Sequence, residues 1–481
     1  MAFRLIDGWE LVVGLEVHAE LRTRTKIFCG CPTIYGAAPN TQCCPVCLGY
    51  PGAMPTLNAE VIHLAALAGL ALNCRIAHHS RMDRKHYCYP DLPKAYQISQ
   101  YEHPLCEDGH LNLTGSNGLK RIGITRIHIE EDAGKLLHGQ DATLLDMNRC
   151  GIPLIEIVTE PDLRTPQEAA DCLRKLRTIL LYAGVSECKM QEGNLRCDVN
   201  VSIHRPGEPF GIRTEIKNLN SFVSVQKAVE AEYARQVACM RSGEAILQET
   251  RRFDQRTGMT YPMRRKETMA DYRFFPEPDL PPIVLTEMQI TDWKSELTRL
   301  PDERKSDYTD RLSVAEYAAE QLVSNRSTAD YFEAAAARTA SPQTLANLIT
   351  TEVFRLMEGE DSAIRIPPEQ LAALADMVVG GEISNNTAKS AIAQSWETGE
   401  DPAGWIDRMQ LRQISDRNTL LPWVLQALAD NPGMLRQYDE GKESVKRALM
   451  GAAMRLSGGK ANAVVLMELL DEALLKRSQA K

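Results

Sequence analysis

Leu11–Leu21 reads LVVGLEVHAEL, and its alternation decides the fold of the N-terminal part of the chain. Successive side chains of a strand face opposite ways, so Val13, Leu15, Val17 and Leu21 point to one side while Glu16, His18 and Glu20 point to the other. Three further stretches repeat the split. In Ile122–Glu131, Ile127 and Ile129 oppose His128 and Glu130; in Leu195–His204, Cys197, Val199 and Val201 oppose Arg196, Asp198 and Asn200; in Gly211–Asn218, Ile212 and Ile216 oppose Arg213, Glu215 and Lys217. An antiparallel sheet with one wetted face alternates too, but with Lys, Thr and Ser outside. Here the polar positions are rich in Glu, Asp, His and Asn, the oxygen and imidazole donors that suit hard divalent cations and phosphate-bearing substrates.

Length and composition bound the rest. A chain of 481 residues exceeds one core and points to roughly three domains. No apolar run of about 18 residues occurs, so no membrane span is expected, and the N-terminus MAFRLIDGWELVVG lacks the pattern of a secretory signal. Thirteen scattered cysteines, an odd number, argue against a disulfide scaffold and for a reducing cytoplasm. A net charge of -9 argues against DNA or wholesale nucleic-acid coating.

Residues 1 to about 290 hold the alternating stretches, most cysteines and nearly all the motif-like peptides. The Pro-rich run Phe275–Pro282 reads as an extended exit from that region. From about Thr286 to Arg408 the sequence is helix-forming, with starts marked by Ser313 and by Ser327-Thr328. Beyond about Leu411 helical patterns alternate with turns, and Gly433–Lys481 carries nine Lys and Arg against six Asp and Glu, a net +3 on an acidic chain that suits RNA contact.

Cys29-Gly30-Cys31 followed by Cys44-Pro45-Val46-Cys47 makes two close pairs that can wrap tetrahedrally around a structural zinc, with Cys43 as a spare thiol. The loop Asp83–Lys94 crowds cations and aromatics, as phosphate and base contacts require. Arg251–Arg273 holds seven basic residues, Arg264, Arg265 and Lys266 among them, with Asp254, Glu267 and Asp271, and the aromatics Phe253, Tyr261, Tyr272, Phe274 and Phe275 run through and just past it, which suits an RNA end or a nucleotide. No P-loop sequence occurs, so a nucleotide would be held by other means.

These peptides resemble a known family. Val13–His18, the four-cysteine loop, Tyr89–Gln100, His128–Lys135, Leu195–Asn200, Lys217–Ser221 and Asp271–Asp279, in this order, are similar to the B subunits of aspartyl/glutamyl-tRNA(Asn/Gln) amidotransferases, and the resemblance covers essentially the whole chain. It departs at Gly459-Lys460-Ala461-Asn462-Ala463, where the family more often has Gly-Gln-Ala-Asn-Pro.

The resemblance implies an α+β protein: a cradle domain around an antiparallel β-sheet (1–290), an all-α helical domain (291–410) and a small α-helical tail domain that touches tRNA (411–481). It implies a heterotrimer with an amidase component and a small bracing chain. There this chain uses ATP and Mg²⁺ to phosphorylate the side-chain carboxylate of mischarged Glu-tRNA(Gln) or Asp-tRNA(Asn), and ammonia from the amidase displaces the phosphate. By resemblance His18 and Glu131 are direct Mg²⁺ ligands with Glu16, Glu130 and Glu215 beside them; Asp198 joins the carboxylate set; Lys85 and Lys94 lie near the reaction centre or tunnel mouth; Lys94, Asn200 and Arg273 serve the nucleotide. Two rivals are a non-catalytic RNA scaffold, which gains nothing from carboxylates beside a polyanion, and a phosphotransferase for small acids, which has no use for a basic tail.

Overall fold

The structure, a computed structural model, describes residues 3–479 apart from 116–117, 140, 266–271 and 360–361. Lys266, Glu267 and Asp271 of the Arg-rich segment lie outside the described residues, as do the side chains of Asn218, Arg264 and Arg265. The chain divides into two units, Met1–Leu300 and Pro301–Lys481.

The strands of the first unit are β1 Glu10–Glu20, β2 Arg75–Ile76, β3 His79–Ser80, β4 Asp83–His86, β5 Tyr96–Ser99, β6 Cys106–Gly115, β7 Gly118–Glu131, β8 Lys135–His138, β9 Thr143–Asp146, β10 Pro153–Thr159, β11 Leu195–His204, β12 Thr214–Leu219, β13 Glu249–Asp254, β14 Met259–Arg265, β15 Phe275–Pro276 and β16 Ile283–Val284. Among the described residues nine of them form one sheet in the order β14-β13-β12-β11-β1-β10-β7-β6-β2, antiparallel except for the β12–β13 pair. The α+β class and the antiparallel sheet expected from the alternation are therefore present.

One face of this sheet is the core. Leu11, Val13, Leu15, Val17 and Ala19 of β1 pack with Ile155 and Ile157 of β10, Ile127 and Ile129 of β7, and Val199 and Val201 of β11, all at most 1% exposed. Helices α1 Ala59–Ala71, α2 Pro166–Ala183 and α3 Phe222–Ser242 cover that face, and each buried Leu or Ile there contributes about 1.5–3 kcal/mol. Local sequence sets the helix limits. Thr165 accepts from Glu168 N and Pro166 pre-sets the first turn of α2, while Gly184 takes φ +70° to end it. Ser221 and Gly243 do the same for α3.

The other face is not simply wetted. Strand β5 and the Gln100 that follows it cross over β7: Gln100 Oε1 accepts from Ile129 N, and Ser99 Oγ donates to Glu130. His128, Glu130 and Glu131 are consequently 4%, 3% and 1% exposed.

Two local expectations are corrected. Gly211–Arg213 stands outside β12, and Ile212, placed on the core face from its spacing, is exposed. A Cβ at Gly211 would lie 2.2 Å from Ile203 O, so the chain passes its neighbour too closely for a side chain. The Pro-rich run does not leave the unit: β15 pairs with β4, β16 with β3, and the following helix α4 Glu287–Glu296 packs Ile290 and Trp293 on the first core.

The second unit is helical. One apolar cluster runs from Tyr308 to Ile406 and another from Leu420 to Leu474. They are tied by a parallel bridge of Ile414 with Ala461 and by Asn462, whose Nδ2 donates to Gly381 O and Ser415 Oγ. The helix Arg326–Ala336 is capped by Asn325, which accepts from Ser327 N, rather than by the Ser327-Thr328 pair. Ala315 precedes the helix Glu316–Leu322, and Ser313 lies in a left-handed turn before it. Among the described residues no helix is long and apolar enough to cross a membrane.

Candidate active site

Sheet register assembles the polar face into ranks. In one rank His18 of β1 stands opposite Arg196 of β11 on one side and Glu156 of β10 on the other, and Glu156 stands opposite His128 of β7. In the adjacent rank Glu16 stands opposite Asp198 and Val158, and Val158 opposite Arg126. Directly opposed residues have Cβ atoms about 4.5–5.5 Å apart, so four strands suffice to make a compact constellation.

At its centre His18 Nε2 lies 3.4 Å from Glu130 Oε1 and 3.3 Å from Glu156 Oε2. His128 Nε2 lies 3.4 Å from the same Glu156 oxygen. One donor atom each from His18, Glu130 and Glu156 falls within 4.8 Å of the others, a spacing that one small cation can span. Burial disfavours the imidazolium of His18, but the charges and hydrogen bonds of Glu156 and Glu130 outweigh it and push its pKa up to about 10. Glu130 and Glu156 are held below the usual carboxylate range: burial opposes this, and the two histidines, chiefly His18 for Glu130 and His128 for Glu156, overcome it. His128 shifts the other way, since burial prevails over its carboxylate neighbours.

The cleft over this cluster has a volume of about 540 Å³, within the range of small-ligand sites. Its carboxylates are oriented. Glu16 accepts from Asn200 Nδ2 at 2.8 Å, and Glu215 accepts from Thr250 Oγ1 at 3.0 Å and faces Lys217 Nζ at 3.2 Å. Lys217 also pairs with Asp198 at 2.7 Å, and these charges hold it protonated well above the usual lysine range against its burial. Asn200 Oδ1 is buried with no hydrogen-bond partner among the described residues, so it remains an acceptor beside Glu16. Aromatics form one wall: Tyr101 stacks on Phe274 at 4.4 Å, and Lys85 Nζ lies 5.1 Å above the Tyr272 ring.

Glu131 stands apart from this cluster. As the strand neighbour of Glu130 it faces the opposite way, where Lys94 Nζ lies 2.7 Å away and Ile98 N donates at 2.9 Å. The sequence expectation that joined Glu131 with His18 as ligands of one ion, and Lys94 with the nucleotide, is thus divided between two faces. The Glu131 side opens on a separate cavity of about 280 Å³ that Lys26, Lys94 and Tyr96 help to line, together with Cys29 and Cys47. There the Sγ atoms of Cys29, Cys31, Cys44 and Cys47 lie within 4.8 Å of one another. Tetrahedral zinc with Zn–S near 2.3 Å needs S···S distances of about 3.8 Å, and Cys44 and Cys47 are at 4.0 Å. The four cysteines can therefore hold a structural metal. Cys43 does not join them, since its thiol faces Asn148. Lys26, wholly buried, places Nζ 3.6 Å from Cys47 Sγ.

Of the sequence-assigned residues, His18, Glu16, Glu130, Glu215 and Lys85 meet at or beneath the cleft, with Asp198 and Asn200 supporting them. Arg273 does not reach it: its side chain is exposed, its backbone is left-handed at φ +44°, and its carbonyl accepts from His86. The residues missed were Glu156 and Arg126. Glu156 had a signal, a lone charge in Pro-Leu-Ile-Glu-Ile-Val-Thr with Leu154 and Val158 on its side and Ile155 and Ile157 on the other.

Known proteins resemble this chain along most of its length. The family model of the GatB/GatE catalytic domain matches residues 11–291, and that of the GatB domain matches residues 330–474. The B subunit of the aspartyl/glutamyl-tRNA(Asn/Gln) amidotransferase of Caldicellulosiruptor saccharolyticus is 49% identical, over 97% of this chain and 99% of that one. Its namesake in Caldanaerobacter subterraneus is 48% identical over 97% and 100%. That of Geotalea daltonii is 46% identical over 96% and 98%. The chain belongs to the family of B subunits of the aspartyl/glutamyl-tRNA(Asn/Gln) amidotransferases.

Proposed function

We propose that this chain carries out the ATP- and Mg²⁺-dependent amidation of the side-chain carboxylate of Glu-tRNA(Gln), Asp-tRNA(Asn) or both, as a carbon–nitrogen ligase with glutamine as amido donor. The observation that supports this most is the His18–Glu130–Glu156 cluster beneath a cleft of nucleotide-compatible volume. A carboxylate is a poor acyl donor because an oxide-like group must leave. Attack of its oxygen on the γ-phosphorus of ATP forms a P–O bond, and the bond from that phosphorus to the β–γ bridging oxygen breaks with its electron pair leaving on ADP. Ammonia then bonds to the acyl carbon, inorganic phosphate departs with the C–O electrons, and the nitrogen loses one proton.

Mg²⁺, when bound, neutralises triphosphate charge and aligns the transferred group. His18, Glu130 and Glu156 would hold it, and the donor set fits, being one imidazole and two carboxylates. Glu16 and Glu215, each fixed by a hydrogen bond, line the cleft at the level where further charge must be met. The Tyr101–Phe274 stack on the cleft wall offers an apolar surface to a base. In this reading a partner amidase releases the ammonia, a small third chain braces the pair, the basic residues 433–481 meet tRNA, the assembly is cytoplasmic, and the four cysteines hold zinc.

The test mixes the complex purified through this chain with glutamine, Mg²⁺ and γ-labelled ATP, and compares uncharged tRNA, Glu-tRNA(Gln) and Asp-tRNA(Asn). Phosphate release that requires a mischarged tRNA is expected, and the tRNA that supports it names the substrate. Release indifferent to charging would overturn the proposal.

A further inference from the structure

The basic residues that line the cleft are not equivalent. Lys217 is answered by Asp198 and Glu215. Arg126, in the rank beside the His18–Glu156–His128 row, has no carboxylate within ion-pair distance among the described residues. Its one hydrogen bond among them runs from Nε to His128 Nδ1 at 3.4 Å. Arginine only donates, so His128 Nδ1 is the acceptor, and in a neutral ring the hydrogen sits on Nε2, which faces Glu156 at 3.4 Å. The guanidinium is therefore held by one edge against the sheet, while its terminal NH₂ groups, with four of the five donors, are left over on the wall of the cleft.

A mere counter-ion would be expected to sit on a carboxylate, as Lys217 does. A half-buried guanidinium fixed through Nε and otherwise unanswered, beside a cation-binding cluster, matches the planar two-point recognition of a phosphate. Resting on the nucleotide reading above, we infer that Arg126, oriented by His128, binds the terminal phosphate of the nucleotide and stays on that group as it passes to the substrate carboxylate. Arg126 transfers no proton. Its N–H groups meet the non-bridging oxygens, whose charge no bond-making step removes. His128 is a positioning residue, acting through the guanidinium.

The test is equilibrium binding of two nucleotides to the complex purified through this chain, with Mn²⁺ and without tRNA: ADP and the β,γ-methylene analogue of ATP. Arg126→Gln is expected to weaken the triphosphate analogue about 10- to 100-fold and to leave ADP and Mn²⁺ affinity within about twofold, because a charge-assisted pair to one phosphate is lost. Arg126→Lys restores part of that loss. His128→Asn, which keeps an acceptor near the Nδ1 position, retains most of the triphosphate affinity, whereas His128→Leu loses it about tenfold. A structural role would weaken both nucleotides and Mn²⁺ together, and that result, or unchanged triphosphate affinity in Arg126→Gln, overturns the inference alone. A wild-type complex that binds neither nucleotide overturns the nucleotide reading and this inference with it.

Discussion

Glu130 and Glu131 are neighbours in one strand and almost equally buried, yet they face different chemistry. Glu131 meets one lysine and one backbone amide, so its charge is answered within the protein. Glu130 shares His18 with Glu156, and His128 Nε2, 3.4 Å from Glu156 and 3.9 Å from Glu130, is shifted by burial toward its neutral form, so two carboxylates lean on one charged imidazole. An answered charge stabilises a fold, while a surplus of buried negative charge costs desolvation energy that a cation can offset. A face closed by an ion pair and the face proposed to bind the ion and nucleotide thus lie one residue apart.

Removing the shared imidazole breaks the contrast most directly. His18→Ala should lower mischarged-tRNA-dependent amidation at least about 10⁴-fold, ~5.5 kcal/mol, with complex assembly and tRNA binding nearly unchanged. Glu156→Gln should approach the same loss. Single-turnover amidation of purified Glu-tRNA(Gln) reads both, and a near wild-type rate in either variant would remove that residue from the ion site.

The ligand face was legible in the sequence only where polar residues recur. Glu16, His18, Asp198 and Glu215 stood out because period-two alternation put several of them in each strand. Glu156 escaped because it is the single charge of an apolar strand, and only the β1–β10 register shows that it stands opposite His18. Glu131 was assigned by resemblance and not by alternation, and the alternation within β7 turns it to the other face, beside Lys94. The stacking of β5 over β7 and the approach of the two cysteine pairs to Lys26 are long-range events that no local pattern records.

The structural face should fail by stability, not by chemistry. Lys94→Met leaves Glu131 buried and unanswered and should destabilise the first unit by about 3–5 kcal/mol, with the double variant Lys94→Met, Glu131→Gln recovering most of it. Urea titration followed by tryptophan fluorescence measures both. If the single variant were as stable as wild type, Lys94 and Glu131 would not form the closed ion pair that sets this face apart.

On the same side Lys26 sharpens the contrast for a metal. Its Nζ, 3.6 Å from Cys47 Sγ, adds a positive charge beside a four-thiolate set. Lys26→Met should weaken zinc about 10- to 100-fold in competition with a chromogenic chelator, without changing its stoichiometry. Unchanged affinity would make Lys26 a packing residue alone.

The smallest effect separates the two faces by pH. Because His18 has a pKa pushed up from 6.5 to about 10, its contribution to the metal-free fold is complete below pH 6.5 and is lost as pH rises through about 10. A cation needs the neutral imidazole, so binding must expel that proton throughout this window, and affinity should rise about tenfold, ~1.4 kcal/mol, per pH unit between 6.5 and 9. Lys94 is shifted upward too, by the charge of Glu131 against its burial, so the other face does not titrate there. Mn²⁺ titration calorimetry in two buffers of different ionisation enthalpy should therefore report close to one proton released in wild type and none from His18→Gln. A Lys94 variant that still folds should keep the full slope, and a flat profile in wild type would mean that His18 is already neutral before the ion arrives.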